Sequence, residues 1–439
     1  MGADASIYHN DGTYAITYDE DCTISGLIVK SENAFRGTAG KLTAKQITIQ
    51  PVDAQYDTWG QGHIHLSGAS KMILTESNMH NVADQANPLM IENNAYFEFN
   101  GTHWWCDGII GKHQAHWKVN ALHGRTLKSG IGKRNFILGE ENPHNHDVIG
   151  TVGNYKSAAD IPQAYHDFNA LHTAIGEVSI ADASEMWAGM RANNRTTLIV
   201  TNTSCLKRYL NPDGTIDTMH SINGRNEATV VLNNVEVARI GGEEYSGTFK
   251  MIGGALHYDR DVPISPDKTY YNDVFDERNM PETKYNQGSH YTEFSYSYNT
   301  DVVPTVIMND VYCYYAGDDV LNGLTEEKAL IELNVHSVYK NDGIELPGVT
   351  PDMVAAVDWS ENTNYIAGQK IWIPSNKIEA DRLFVVVEDH LSSSLESSDG
   401  RNIQKDHNNN KIRLLVGACR NSDGYYKTLQ YIKPYNTGV

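Results

Sequence analysis

The chain has 439 residues, with 55 acidic and 35 basic side chains and a net charge of −20. At 40% hydrophobic and 21% charged it holds enough apolar side chains to fold, and its length suits two or three domains. The acidity excludes a dedicated nucleic-acid binder, because phosphate contacts need a basic face.

Residues 1–150 read as a β-rich N-terminal region with extended loops. The opening MGADASIYHNDG has no basic patch followed by an apolar run, so no signal peptide is expected. No stretch approaches 18 apolar residues, so no membrane span is expected either. Asp-Gly and Asn-Gly pairs recur along the whole chain (11–12, 100–101, 107–108, 213–214, 223–224 and others) and predict tight turns between strands. Trp59, Trp104, Trp105 and Trp117 cluster here with the nine of the 18 His that lie between His63 and His146. Such a mixture suits a sugar-binding groove, and equally a set of core or interface anchors. His63 and His65 share a strand face by alternation. Glu92, Glu98 and Asp107 supply carboxylates near the Trp cluster, as glycoside hydrolysis would need. From Gly108 to Gly139 no acidic residue occurs, while Lys112, Lys118, Arg125, Lys128, Lys133 and Arg134 give +6. That island needs an acidic partner, and a second copy of the chain would supply one.

Residues 151–348 read as a mixed α/β domain. Ile161, Ala164, Tyr165, Phe168, Leu171 and Ile175 follow the helical period and predict a helix over 160–175 with this stripe buried. A second helix is predicted from Asp182, with Glu185 three residues on as in a capping box, presenting Met186, Trp187 and Met190. A strand over 197–200 and a helical turn over 204–210 follow. The runs 228–232 and 235–240 read as a hairpin turning at Asn233-Asn234. Residues 349–439, introduced by Pro347-Gly348, read as a small β-sandwich-like domain. No repeat of fixed period is visible, so no solenoid is expected. The fold class expected is α+β and β-rich: a mixed central domain with a long helix and sheets, plus the C-terminal sandwich.

Five Cys stand far apart without a CxxC pair, which predicts free thiols and no structural zinc. HExxH, G-x-S-x-G, P-loop and G-x-G-x-x-G patterns are absent, so no catalytic residue, metal or cofactor is expected. The sequons at Asn100, Asn194 and Asn202 read as chance.

DASEMWAGMRANN (182–194), TTLIVTNTSCLKRYL (196–210) and GGALHYDRDVPISP (253–266) follow the expected helix at 160–175 in an order that resembles the central part of major capsid proteins of tailed phages. NPLMIENNAYFEFNG (87–101) resembles the strand pair of that family's extended loop. The resemblance implies a virion protein made in the host cytoplasm that assembles with copies of itself and possibly other virion proteins. It implies no catalysis, no specific nucleic-acid binding and no membrane association. The basic island would then be an inter-subunit contact. The rival expectation is a carbohydrate-active or carbohydrate-binding protein using 59–146, with Trp59, Trp104, Trp105 and Trp117 as glycan contacts.

Overall fold

The computed structural model describes residues 5–9, 11–50, 63–80, 89–106, 108–125, 136–143, 163–185, 189–206, 222–237, 240–245, 247–257, 292–296, 304–314, 330–337, 351–373, 381–393, 406, 409, 411–421 and 424–426. They build a parallel β-solenoid carrying a small C-terminal module. Long strands form one sheet of twelve, in the order β1 (Ala5–His9), β3 (Cys22–Ser31), β5 (Lys41–Gln50), β7 (Lys71–His80), β9 (Tyr96–Trp105), β11 (His116–Arg125), β13 (Ile175–Glu185), β15 (Thr197–Leu206), β17 (Thr229–Val237), β19 (Thr248–His257), β21 (Thr305–Tyr314) and β22 (Leu330–Ser337). Short strands form a second sheet of ten: β2 (Ile16–Tyr18), β4 (Phe35–Gly37), β6 (Ile64–Leu66), β8 (Leu89–Ile91), β10 (Ile109–Gly111), β12 (Phe136–Leu138), β14 (Met190–Ala192), β16 (Ile222–Asn226), β18 (Ile240–Tyr245) and β20 (Thr292–Tyr296). Every pairing within both sheets is parallel to the next coil.

Alternation along each strand sends one set of side chains inward and the other outward. The inward set stacks in columns across coils. Met72, Phe97 and Trp117 share one column, and Leu74, Phe99, Val119 and Val178 another, all buried. Short strands add Leu89, Ile109, Phe136, Met190, Ile222 and Ile240 from the opposite side. Trp117 fits because its neighbours are glycines: a Cβ on Gly176 would lie 2.4 Å from the indole, and one on Gly111 2.8 Å.

Two corners shape each coil. Between short and long strands the turn repeats: a backbone N–H reaches back three residues in Ser70→Ser67, Ala95→Glu92, Ala115→Lys112, Thr196→Asn193 and Ala228→Arg225. The residue after the acceptor is left-handed each time: Gly68, Asn93, His113, Asn194 and Asn226, with φ between 54° and 63°. The long strands bend midway at a second left-handed residue, among them Gln46, Glu76, Asn202, Asn234 and Asp310, with a register shift at Glu76 and at Asp310. Asn234 Nδ2 donates to Asn202 Oδ1 at 2.8 Å, and Asn226 Nδ2 to Asn194 Oδ1 at 2.9 Å, so amides ladder along both corners.

This architecture corrects the α+β expectation, because the described residues hold no long helix. The helices delimited among the described residues are α1 (Gln163–Leu171) and α2 (Pro351–Ala355), and no helix there is long and apolar enough to cross a membrane. The stripe predicted to be buried is so only in part: Tyr165 is buried, with Asn169 beside it, but Phe168 is half-buried, Ala164 and Leu171 are exposed, Ile175 opens β13, and Ile161 lies outside the described residues. Asp182 and Glu185 lie in β13 and Met190 in β14, where the second helix was expected; Met186 and Trp187 lie outside the described residues. Ser204–Leu206 continues β15 instead of forming a helical turn. Asn233-Asn234 is not a hairpin but the bend inside β17. A solenoid is present although no fixed period announces it. One sheet runs from β1 to β22, across residue 150 without a break.

The C-terminal module holds a five-stranded sheet, β23 (Val357–Asp358), β25 (Lys370–Ile373), β26 (Asp381–Val386), β28 (Ile412–Asn421) and β29 (Gly424–Tyr426), antiparallel except between β23 and β25. A second pair joins β24 (Asn364–Tyr365) to β27 (His390–Leu391). The module packs on the outside of the long sheet, with β28 against β15, β17 and β19.

Candidate functional site

A polar groove of about 600 Å³ lies on the outer face of the long sheet. Its floor comes from outward positions of β5 to β15, and Asn409 of the C-terminal module overhangs it. Parallel register turns sequence into columns here. Glu98, Lys118 and Glu177 occupy one column on three successive coils. Thr75, Asn100, Asn120 and Ser179 occupy the next. A chain ligand laid along the axis meets a new rung about every 4.8 Å.

The carboxylates are held by neighbours. Tyr96 Oη donates to Glu98 Oε2 and Asn100 Nδ2 to Glu98 Oε1, both at 2.7 Å. His116 Nε2 lies 2.7 Å from Glu177 Oε1, and the Tyr96 ring meets the His116 ring edge-on at 5.1 Å. Burial pushes the Tyr96 phenol well up, reinforced by its hydrogen bond to Glu98 and by the charges of Glu98 and Glu177. At the end of the groove, Glu76 takes Lys45 at 3.3 Å and Gln46 Nε2 at 3.1 Å. Asn120 is 8% exposed, and its Oδ1 is buried without a hydrogen-bond partner. Leaving a buried acceptor unmet costs about 1–3 kcal/mol, which a hydroxyl entering the groove would relieve.

The overhang is anchored below the surface. Asp406 accepts from Ser393 Oγ at 3.0 Å, Ser393 N at 3.3 Å and Trp359 Nε1 at 3.3 Å. Burial raises its carboxyl, against the pull of those bonds and of His390, whose Nε2 lies 3.8 Å away.

Sequence candidates scatter over this surface. Trp104 and Trp117 are fully buried inside the solenoid and cannot touch a glycan, which corrects that expectation. Trp105 faces outward between His80 and His103, each with its ring centroid 4.7 Å away. Trp59 lies outside the described residues. Of the basic island, Lys112 pairs with Glu140 at 2.6 Å within the chain, and its hydrogen bond holds that carboxyl below the usual range. Lys118 enters the groove between two carboxylate rungs. The backbone of Arg125 pairs with Trp105 and Glu185, while Lys128, Lys133 and Arg134 lie outside the described residues. Glu98 reaches the groove, Glu92 instead faces His65 at 3.0 Å, and Asp107 is outside the described residues. His63 is buried against the Glu32 carbonyl, and its partner in the predicted pair, His65, points outward. Among the described residues no three His, Cys, Asp or Glu converge on a metal position. The sequons at 194 and 202 mark corner asparagines of the two amide ladders. Glu177, Lys118 and Asn120 went unnoticed as a group because 59 residues separate Lys118 from Glu177.

No known family matches the chain, and no curated protein or solved structure resembles it.

Proposed function

We propose that this solenoid binds a neutral glycan chain in the groove between the long sheet and the C-terminal module. The observation that carries the reading is the unpartnered Asn120 carbonyl on a floor of amides, hydroxyls and charges repeated coil by coil. Its volume falls within the range of small-molecule sites. Hydroxyl-rich polymers both donate and accept along their length, and the columns offer both. Glu76, Glu98 and Glu177 outnumber Lys45 and Lys118 in the groove, which disfavours a polyanion. We take the glycan reading ahead of a capsid shell because the second helix of that resemblance is not formed: 182–185 and 190–192 lie in strands, while α1 keeps part of the first.

Titration calorimetry with soluble xylan, mannan, dextran and hydroxyethyl cellulose tests it, with polygalacturonate as the anionic control. At least one neutral polymer binds, and Asn120→Ala weakens it by about tenfold, in line with one hydrogen bond. Absence of binding to all four, or preference for polygalacturonate, overturns the reading.

A further inference from the structure

We propose that His390 and Asp406 form a buried site for a single proton beneath the overhang, and that filling it firms the grip of the C-terminal module on a chain lying in the groove. The inference rests on the glycan reading above and adds its regulation. His390 Nδ1 lies 2.9 Å from the Glu388 carbonyl oxygen. A carbonyl only accepts, so Nδ1 carries hydrogen, and the neutral ring turns a bare Nε2 inward. That nitrogen is buried without a hydrogen-bond partner and faces Asp406 Oδ2 at 3.8 Å. The two side chains are only 6% and 4% exposed, so water does not fill the gap freely. Two acceptors thus face each other with no donor between them. One proton from solvent, held on either atom, turns that face into a hydrogen bond and cancels a buried negative charge.

The pair sits at the root of the overhang. The Asp406 carbonyl accepts from Lys411 N at 2.8 Å, which ties together the two ends of the segment that carries Asn409 over the groove. Lys411 O accepts in turn from Val387 N at 2.7 Å, next to the end of β26. The carboxylate itself joins Ser393, just past β27, to Trp359, just past β23. The other titratable groups described around the pair are engaged elsewhere. Glu388 pairs with Lys411, and Asp389 Oδ1 accepts from Ala367 N at 2.8 Å. The Tyr365 ring lies 6.0 Å from His390, and its hydroxyl accepts from Ser360 N at 2.7 Å. Burial raises the Asp406 carboxyl from its usual 3.8, against the pull of its donors and of His390. The stabilisation is therefore complete below 3.8 and is lost as the pH rises through the raised value. Acid firms the root of the overhang. The buried His63 responds with the opposite sign, so the two effects separate only in a local readout.

The test starts from the full chain with nothing bound. Hydrogen exchange is followed by mass spectrometry in peptides covering 388–393 and 406–411, as protection factors at pH 7.5, 6.0 and 4.5. Protection should rise as the pH falls, by about 2–10-fold, the worth of one hydrogen bond. His390→Gln, whose amide donates without a proton from solvent, and Asp406→Asn, which carries no charge to cancel, should each flatten that rise. The neutral polysaccharide that titrates to the groove, among xylan, mannan, dextran and hydroxyethyl cellulose, should bind about 2–10-fold more tightly at pH 4.5 than at 7.5. His390→Gln should bring that ratio close to one. The groove carboxylates are intact in this variant, so a pH dependence of their own would survive it. Flat protection in the parent, or a rise that both variants keep, overturns the proton site. Protection that rises while affinity stays constant overturns the control of the groove and leaves the glycan reading standing. Binding of none of the four polysaccharides overturns the glycan reading and that control together, and exchange alone then decides the proton site.

Discussion

His63 has its Nδ1 on the Glu32 carbonyl at 2.9 Å and no room for solvent around the ring. Burial pulls its pKa down from 6.5 to about 4, with the Glu32 bond opposing weakly. The unfolded chain therefore holds the proton more tightly than the native one between those values. Stability is whole above pH 6.5, falls as the pH drops toward 4, and levels off below it. The loss attributable to this ring is about 3 kcal/mol. Urea melts at pH 7, 5.5 and 4.5 should show that decline, and His63→Gln, less stable at pH 7, should show a smaller one. An unchanged slope in the variant would place the acid sensitivity elsewhere. Alternation put His63 and His65 on one strand face, yet β6 begins only at Ile64 and of the two rings His63 alone is buried. Burial of a polar ring depends on a carbonyl 31 residues away, which no local pattern encodes.

At the scale of the element, the repeat was written in the chain but not as a period. Ser67-Gly-Ala-Ser70, Glu92-Asn-Asn-Ala95, Lys112-His-Gln-Ala115, Asn193-Asn-Arg-Thr196 and Arg225-Asn-Glu-Ala228 are one turn used five times, each followed by a strand. A left-handed second residue and a small buried fourth residue are what they share. Their separation varies because the connections at the other corner vary, from 106–108 to 207–221 and 258–291, and because 139–174, with α1, is inserted at this one. A search at fixed spacing misses such a repeat, and strong Asn-Asn signals pass for hairpins. The 3.6-residue pattern at 160–175 misled for a related reason: α1 lies on a corner and buries only two side chains. The bend in β17 gives a direct check on the corner physics. Asn234→Gly keeps the φ of 56° accessible and loses the bond to Asn202, costing about 1 kcal/mol. Asn234→Val adds backbone strain of about 1–3 kcal/mol. Equal denaturation midpoints for the two variants would mean that the bend relaxes without penalty.

For the molecule as a whole, the C-terminal module completes its core with residues from the solenoid. Leu122 and Ala181 share an apolar cluster with Tyr365, Ile371, Ile373, Phe384, Val386 and Ile412. Expectation had 349–439 as a domain by its punctuation, and nothing in its sequence reveals that part of its packing sits more than 160 residues upstream. Leu122→Asp should therefore loosen the module first. Hydrogen exchange should speed up in β25, β26 and β28 while the solenoid amides of β5 and β7 stay protected. The lost leucine alone costs about 2–5 kcal/mol at the interface, and the buried carboxylate adds to it. Uniform loss of protection across both parts would show that they unfold as one unit.

The uneven corner has a further consequence. Each coil must match its neighbours only along its strands, so chain length at the loop-bearing corner is free of the stacking rule. The segments there can grow, shrink or be exchanged without altering a single rung. The fold thus separates inheritance of shape from invention of surface: new recognition sequences can be tried at one edge of the column while the stack beneath them stays as it was.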